Sequence, residues 1–467
     1  MPIDPRFDAD EAALLTDLYE LTMAASYFAI GLNGPAGFSL SVRRMPPRRG
    51  FLVAAGLDRL LEALEEFRFA PAAIDYFASL KLFAPAFLDY LAALRFTGDV
   101  VAMPEGTIFF EEEPILEIHA PLIEAQLIET LVINQIGFAS LVASKAARSF
   151  HAARGRRLVD FGLRRSHGAD AGLVAARASY LAGFNGTSNV LAGRRYAIPL
   201  HGTMAHSYVM AHETEIAAFE HFVALFPQLG SLLVDTYDTL RGVENAARVA
   251  LELRARGGKL QAIRLDSGDL PDLSARARRM LDQRGLNDVA IFASGNLDEF
   301  RIDELARADA PIDAFGVGTA MVASADAPAL DISYKLAEYN GVGRLKTSPD
   351  KLTLPGRKQV FRARNANGGF FADRIGLAEE AAATVAREFR PAPSAVAPLL
   401  ERRFQAGRRL EPRPTLAESR ERFLAEFARL DRRHKDLERP ERYSVRHTIA
   451  LGAMLTAEKL RAEKRQD

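Results

Sequence analysis

The sequence predicts an α/β protein centred on a (β/α) barrel, and three observations carry that expectation. Short apolar segments ending in glycine or polar residues recur through the middle of the chain, stretches with helical patterning separate most of them, and the chemistry-bearing residues gather where the apolar segments stop. The segments are RLVDFG (157–162), GFNGT (183–187), AIPLHGT (197–203), SLLVDTYDT (231–239), LQAIRLDSGD (260–269), VAIFASGN (289–296), DAFGVGT (313–319) and DISYKLAEYNG (331–341). TLRGVENAARVALELRARG (239–257) is one of the helical stretches between them. Alternation repeated about eight times fits a parallel sheet closed into a barrel, a fold that places its chemistry at the C-terminal ends of the strands. An open doubly wound sheet is the alternative.

The flanking regions read differently. Residues 1–150 form a mixed α/β segment: a helix over 11–30, a strand over 37–45, several helices over 56–94, β-like sequence over 97–120 and an amphipathic helix over 122–153. The barrel is expected over 151–345, and 346–467 forms a C-terminal segment. It opens with a loop and a hairpin. Thr415 and Glu418 then make a capping box before a helix whose Phe423, Phe427 and Leu430 share one face, and the tail reads as a solvated helix end.

Composition excludes several functions. With 467 residues, 48% hydrophobic and 26% charged, the chain suits a globular protein of two or three domains. Lys plus Arg (60) equals Asp plus Glu (60), so no global field draws it to nucleic acid or to a membrane, and anion sites have to be built locally. The absence of cysteine removes disulfides, thiolate catalysis and Cys-ligated zinc. The start carries no basic stretch followed by an apolar run, and no run of about 18 apolar residues occurs. A cytoplasmic enzyme is expected.

The chemistry concentrates in 160–319. DFGLRRSHGAD sets Arg164 and Arg165 directly after a strand, where guanidinium and backbone donors can hold a phosphate or carboxylate; a solvated surface pair is the plainer reading. HGTMAHSYVMAH carries His201, His206 and His212. His212-Glu213 opens like a zinc-protease helix, but Ile216 stands where the second histidine belongs. His201 and His206 remain candidate metal ligands, but the surrounding arginines and glycines favour one of the histidines as a nucleophile or phosphate partner. IRLDSGD offers Arg264, Asp266, Ser267 and Asp269 for ribose hydroxyls or a magnesium–diphosphate, with helix capping as the plainer role of Ser267 or Asp269. The turns SGN and FGVGT, with Gly295, Asn296, Gly316 and Gly318, present backbone amides to a phosphate. No P-loop and no dinucleotide fingerprint is present. These residues describe a barrel enzyme acting on a phosphorylated sugar or nucleotide.

Eight collinear motifs then match a family. TDLYELTM (16–23), DFGLRR (160–165), GFNGTSNVLAG (183–193), GTMAHS (202–207), IRLDSGD (263–269), SGN (294–296), FGVGT (315–319) and YKLAEYNG (334–341) resemble, in order, the nicotinate phosphoribosyltransferases. The resemblance implies an irregular α/β barrel beside a second α/β domain built from N- and C-terminal segments, in a homodimer with shared active sites. It implies nicotinate, phosphoribosyl diphosphate and ATP as substrates, with Mg²⁺. Tyr19, from the partner subunit, and Phe161 would sandwich the pyridine ring; Arg164 and Arg264 would hold phosphate, diphosphate or carboxylate; Thr203 would position nicotinate. Asp266 would bind ribose hydroxyls, and Gly295, Asn296, Gly316 and Gly318 would line the 5′-phosphate pocket. His206 matches the histidine phosphorylated from ATP, and Arg43, Lys346, Lys351, Thr353 and Arg357 match positions near diphosphate and ATP. Ser188 stands where the nicotinamide-using relatives carry aspartate, and a serine can donate to a carboxylate that an aspartate would repel. A nicotinamide enzyme and a metal-dependent barrel hydrolase are the competing readings.

Overall fold

The structure is a computed structural model that describes residues 11–348 and 353–464; the start of the chain, Lys351 and the last three residues of the tail lie outside it. The chain divides into two compact units, residues 145–328 and residues 1–144 with 329–467.

In the 145–328 unit six parallel strands lie in the order Gly186–Thr187, Arg157–Asp160, Ala314–Val317, Ala290–Ala293, Ala262–Leu265 and Ser231–Leu233. Leu158, Val159, Ile263, Leu265, Phe315 and Val317 are buried, the near-continuous apolar run expected of strands covered on both faces. The strand-to-helix turns after Ser231–Leu233, Ala262–Leu265 and Ala290–Ala293 each close on an aspartate. Asp238, Asp269 and Asp298 accept a hydrogen bond from the amides of Arg241, Asp272 and Arg301, capping the helices Thr239–Ala255, Leu270–Asp282 and Glu299–Arg307.

The two outer strands of this sheet are not paired with each other, so the strands form a half-barrel of six rather than eight. Two segments account for the difference. AIPLHGT contributes only an isolated bridge, Thr187 to Leu200, because Ala197 turns into the left-handed region and Pro199 withholds an amide. DISYKLAEYNG does form a strand, Asp331–Tyr339, but it pairs antiparallel with Pro35–Arg44 in the other unit. There Tyr334 is fully buried, stacks on Phe38 at 4.8 Å and donates its hydroxyl to the Ala125 carbonyl at 2.8 Å.

The unit formed by both ends of the chain is built on a seven-stranded sheet in the order Val342–Gly343, Asp331–Tyr339, Pro35–Arg44, Pro114–Pro121, Asp99–Ala102, Glu401–Gln405 and Arg408–Arg409. Leu40, Val100, Leu116 and Ile118 fill its core together with side chains of the helices Leu57–Glu65, Pro71–Ser79 and Pro85–Ala93. The amphipathic stretch 122–153 splits into Leu122–Leu127 and Glu129–Ala152. The expected hairpin is present as Lys358–Arg364 against Phe370–Leu377, within a four-stranded sheet. Both bonds of the Thr415–Glu418 capping box start the helix Leu416–Arg429, which buries Phe423 and Phe427. Among the described residues no helix is long and apolar enough to cross a membrane.

Candidate active site at the strand ends

Three adjacent strands of the half-barrel end in side chains that lock together. Arg264 leaves Ala262–Leu265 and donates Nε to Ser294 Oγ at 2.8 Å and Nη2 to Asp266 Oδ1 at 2.6 Å. Ser294 Oγ donates to the same carboxylate oxygen at 2.5 Å. The Asp266 amide in turn donates to Asp235 Oδ2 at 2.9 Å, and Ser267 Oγ reaches that oxygen at 2.6 Å. Burial pushes the Asp266 carboxyl up, but Ser294, Arg264 and His206 outweigh it and hold the group below the ordinary aspartate range. Asp266 therefore stays an anion with one oxygen, Oδ2, turned toward His206.

His206 opens the short helix His206–Met210, half-buried. Its Nδ1 lies 3.1 Å from Thr236 Oγ1 and its Nε2 lies 3.9 Å from Asp266 Oδ2. The second distance is too long for a hydrogen bond. When Nδ1–H donates to Thr236, Nε2 carries the lone pair and is the nucleophilic nitrogen.

Phe161 follows the strand Arg157–Asp160, and its amide donates to the Val317 carbonyl at 2.8 Å. Its ring stacks on Phe292 with centroids 5.5 Å apart, and the Arg264 guanidinium lies 5.3 Å from its centre. Gly316 is required beneath it: a Cβ there would come within 2.6 Å of the ring. Gly295 has φ +89°, and a Cβ would lie 1.9 Å from the Asp266 carbonyl, so only glycine lets the SGN turn approach the Asp266 turn. Asn296 follows with φ 50°, exposed, and Gly318 lies against the Phe161 carbonyl. Thr203 and Phe161 line one cavity of about 200 Å³ inside this unit, with Val159, Leu200, His201 and Phe292. Ser188 is half-buried, its amide donating to the Asp160 carbonyl at 2.9 Å. Arg164 lies on the 3-10 turn Leu163–Arg165, exposed.

The structure thus interlocks Phe161, His206, Arg264, Asp266, Gly295, Gly316 and Gly318, while Arg164 and Asn296 are exposed and not part of that set. The three histidines do not gather: among the described residues no group of three or more ligand side chains could hold a metal ion. His212 gives Nδ1 to the Tyr208 carbonyl at 2.8 Å, and His201 packs its ring against Gly186.

In the other unit Tyr19 is 47% exposed on the helix Leu18–Ala29, with its hydroxyl pushed up by burial and by Glu129, Glu20 and Asp17. Arg43, Lys346 and Thr353 line a second cavity of about 350 Å³ with Arg44, Lys335 and Lys358. The Thr353 hydroxyl accepts the Lys346 amide at 2.9 Å. Arg357 instead bonds Glu338 at 3.0 Å.

Sequence reasoning missed Asp160, Asp235, Thr236 and Ser294. Asp160 is buried; it accepts the Thr187 hydroxyl at 2.7 Å and the Gly162 amide at 2.8 Å, and burial raises its pKa against those two bonds. The available signal was position, since each ends or follows an apolar strand segment.

The chain matches the families described as nicotinate phosphoribosyltransferase N-terminal domain over residues 14–137, nicotinate phosphoribosyltransferase over 156–355, and nicotinate phosphoribosyltransferase C-terminal domain over 357–455. It is 53% identical over 364 residues to nicotinate phosphoribosyltransferase pncB2 of Mycobacterium tuberculosis, covering 78% of each chain. It is 34% identical to human nicotinate phosphoribosyltransferase over 526 aligned positions, covering 97% of this chain and 98% of the other. The crystal structure of human nicotinic acid phosphoribosyltransferase superposes with a TM-score of 0.85 at 32% identity, covering 95% of this chain and 99% of that one.

Proposed function

This chain belongs to the nicotinate phosphoribosyltransferase family, and on that premise we propose how its residues divide the work of the reaction. Its activity is that of a nicotinate phosphoribosyltransferase in NAD biosynthesis: nicotinate and phosphoribosyl diphosphate give nicotinate mononucleotide and diphosphate. The bond from the anomeric carbon to the diphosphate oxygen breaks, and the pyridine nitrogen forms the new bond to that carbon. Catalysis of such a step is positioning plus stabilisation of the departing charge.

The observation that carries the residue assignment is the interlocked Arg264–Asp266–Ser294 set beside His206. Asp266, ionised and fixed, accepts the ribose hydroxyls. Arg264 and Arg164 hold the anionic groups, and the turns with Gly295, Asn296, Gly316 and Gly318 take the 5′-phosphate. Phe161 packs one face of the pyridine, and Tyr19 of a second copy packs the other; the exposure of Tyr19 suits a homodimer with shared sites. Thr203 and Ser188 orient the base, Ser188 donating to its carboxylate. Thr353 and its cationic neighbours Arg43 and Lys346 serve diphosphate and ATP.

Magnesium fits this donor set. The Asp235 Oδ1 atom is buried without a hydrogen-bond partner, and Mg²⁺ needs only one or two carboxylates when substrate phosphates complete its shell. Asp235 and Asp266 would hold it, and it would supply positive charge to the departing diphosphate.

ATP enters through His206. Nε2 attacks the γ-phosphorus, the bond to the β,γ-bridging oxygen breaks, and ADP leaves; water later cleaves the N–P bond. The phosphohistidine adds negative charge beside the diphosphate site and couples hydrolysis to product formation. Cytoplasmic supply of ATP and phosphoribosyl diphosphate suits this chemistry.

The deciding experiment is product identification with nicotinate, phosphoribosyl diphosphate and Mg²⁺, with and without ATP, on the parent and on His206→Ala. The variant should lose ATP hydrolysis and phosphohistidine while retaining slow ATP-independent transfer. ATP stimulation that survives in the variant removes His206 from the role.

A further inference from the structure

Beneath the two phosphate turns lies a buried group of charges that the reaction does not use directly. Lys145, on the helix Glu129–Ala152, has a side chain only 3% exposed. Its ammonium lies 2.6 and 2.8 Å from the two carboxylate oxygens of Glu299, which is itself fully buried, and 2.7 Å from Asp326 Oδ1. Arg148, one turn further along the helix, donates Nε to Glu299 at 2.9 Å. Burial pushes the Glu299 carboxyl up, but Lys145 and Arg148 more than reverse this and keep it ionised. Two cations thus face two carboxylates, Glu299 fully buried and Asp326 partly exposed.

The position of the carboxylates is informative. Glu299 is the first residue of the helix Glu299–Arg307, three residues after Asn296 of the SGN turn. Asp326 lies eight residues after Gly318, and the chain between them is folded back by hydrogen bonds that the Met321 and Val322 amides donate to the Gly318 carbonyl and the Ala325 amide to the Ala320 carbonyl. Val322 in that segment closes on Gly162, where an added Cβ would come within 1.9 Å of it. One ammonium therefore ties the start of the helix that follows the SGN turn to the segment folded back after Gly318, and the strands before them, Ala290–Ala293 and Ala314–Val317, are neighbours. An apolar residue at this depth would avoid the desolvation cost of a buried ion pair, so stability alone does not account for a lysine here.

We infer that Lys145 is a positioning residue for the transfer: through Glu299 and Asp326 it holds the two phosphate turns at the spacing that one phosphate monoester requires. This rests on the assignment of those turns to the 5′-phosphate. The lysine touches no substrate. It sets the distance between two sets of backbone amides, and a shift of about 1 Å in such a set is enough to cost about a hundredfold in rate or affinity.

The test separates ligands that carry the 5′-phosphate from those that do not. Lys145→Met should raise KM for phosphoribosyl diphosphate about tenfold or more, and in the reverse direction KM for nicotinate mononucleotide by a similar factor. KM for nicotinate and for diphosphate should stay within about twofold. Asp326→Asn, at the partly exposed end of the group, cuts only one arm and should give the same pattern with a smaller factor; it carries the test if Lys145→Met does not fold. Equal changes in all four constants, or none, would overturn the inference. Gly295→Ala, placed in the turn itself, checks the underlying assignment: if it leaves the two phosphate-bearing constants unchanged, that assignment fails. If Gly295→Ala raises them while the Lys145 and Asp326 variants do not, the turns bind the phosphate but the lysine does not set them.

Discussion

Each unit of the molecule buries a cationic side chain among carboxylates, and the two do so to different ends. In the unit formed by both chain ends Arg362 is fully buried. It binds Asp373 through Nε at 3.0 Å and Nη2 at 2.7 Å, and Glu426 through Nη1 at 2.8 Å, with the Phe370 ring 4.2 Å away. Tyr443 adds its hydroxyl to Asp373 at 3.0 Å. The partners lie on a hairpin, on the helix Leu416–Arg429 and on the segment before Val445–His447, so one planar fork with five donors joins elements far apart in sequence. Lys145 is a point charge shared between two turns a few residues from glycines that approach the site. The difference teaches that buried charge is not one kind of evidence. What it acts on depends on which chain segments its partners belong to.

This contrast can be broken most forcefully at Arg362. Arg362→Met leaves Asp373 without its cation and takes one of two from Glu426, which keeps Arg364 at 3.0 Å, and should cost about 3–5 kcal/mol of folding stability. Protein that still folds at low temperature should keep its Michaelis constants, the opposite of the Lys145 pattern. A thermal midpoint within about 2 °C of the parent would show that the joint is not needed.

A smaller effect is expected at Ser188→Asp, which leaves both buried groups intact and alters only the position proposed to face the base's carboxylate. The new carboxylate repels nicotinate, so kcat/KM for nicotinate should fall by about tenfold, while that for nicotinamide should fall less or rise. Equal losses with the two bases would discard the selectivity argument.

The smallest change sharpens the comparison through pH. Glu113 lies fully buried beside Asp373, and burial first, then the Asp373 charge, raise its pKa well above the ordinary range despite Arg362. Because the folded value exceeds the unfolded one, the stability it contributes is complete below about pH 4.3 and is lost as pH rises through the folded value. Glu113→Gln keeps the shape and cannot ionise. Its thermal midpoint should decline less steeply than the parent's as pH rises above about 4.3, and parallel curves would remove Glu113 as the source of the slope.

Much of the site was legible because local chemistry announces it. Glycines at 295 and 316 are demanded by close approach, and sequence shows glycine directly; Arg264, Asp266 and His206 stand at the ends of apolar runs. The capping box at Thr415 and Glu418 depends on four consecutive residues and was equally plain. Asp235 and Ser294 were not legible as partners of Asp266, since 31 and 28 residues separate them from it along the chain. The 331–341 segment showed the same limit. Its apolar run fits either sheet, and the partner that pairs with it, Pro35–Arg44, lies some 300 residues earlier.

Sequence by itself determined the alternation of strands and helices, the neutral charge, the lack of thiol chemistry and the residue types offered at each strand end, because these follow from local pattern and side-chain chemistry. Tertiary structure alone decided that six strands rather than eight share the parallel sheet, that Thr236 and Asp266 flank the two nitrogens of His206, and that Lys145 meets both Glu299 and Asp326. The reason is physical: hydrogen-bond register and the pairing of buried charges are satisfied between segments distant in the chain, and no local pattern encodes which distant partner closes the bond.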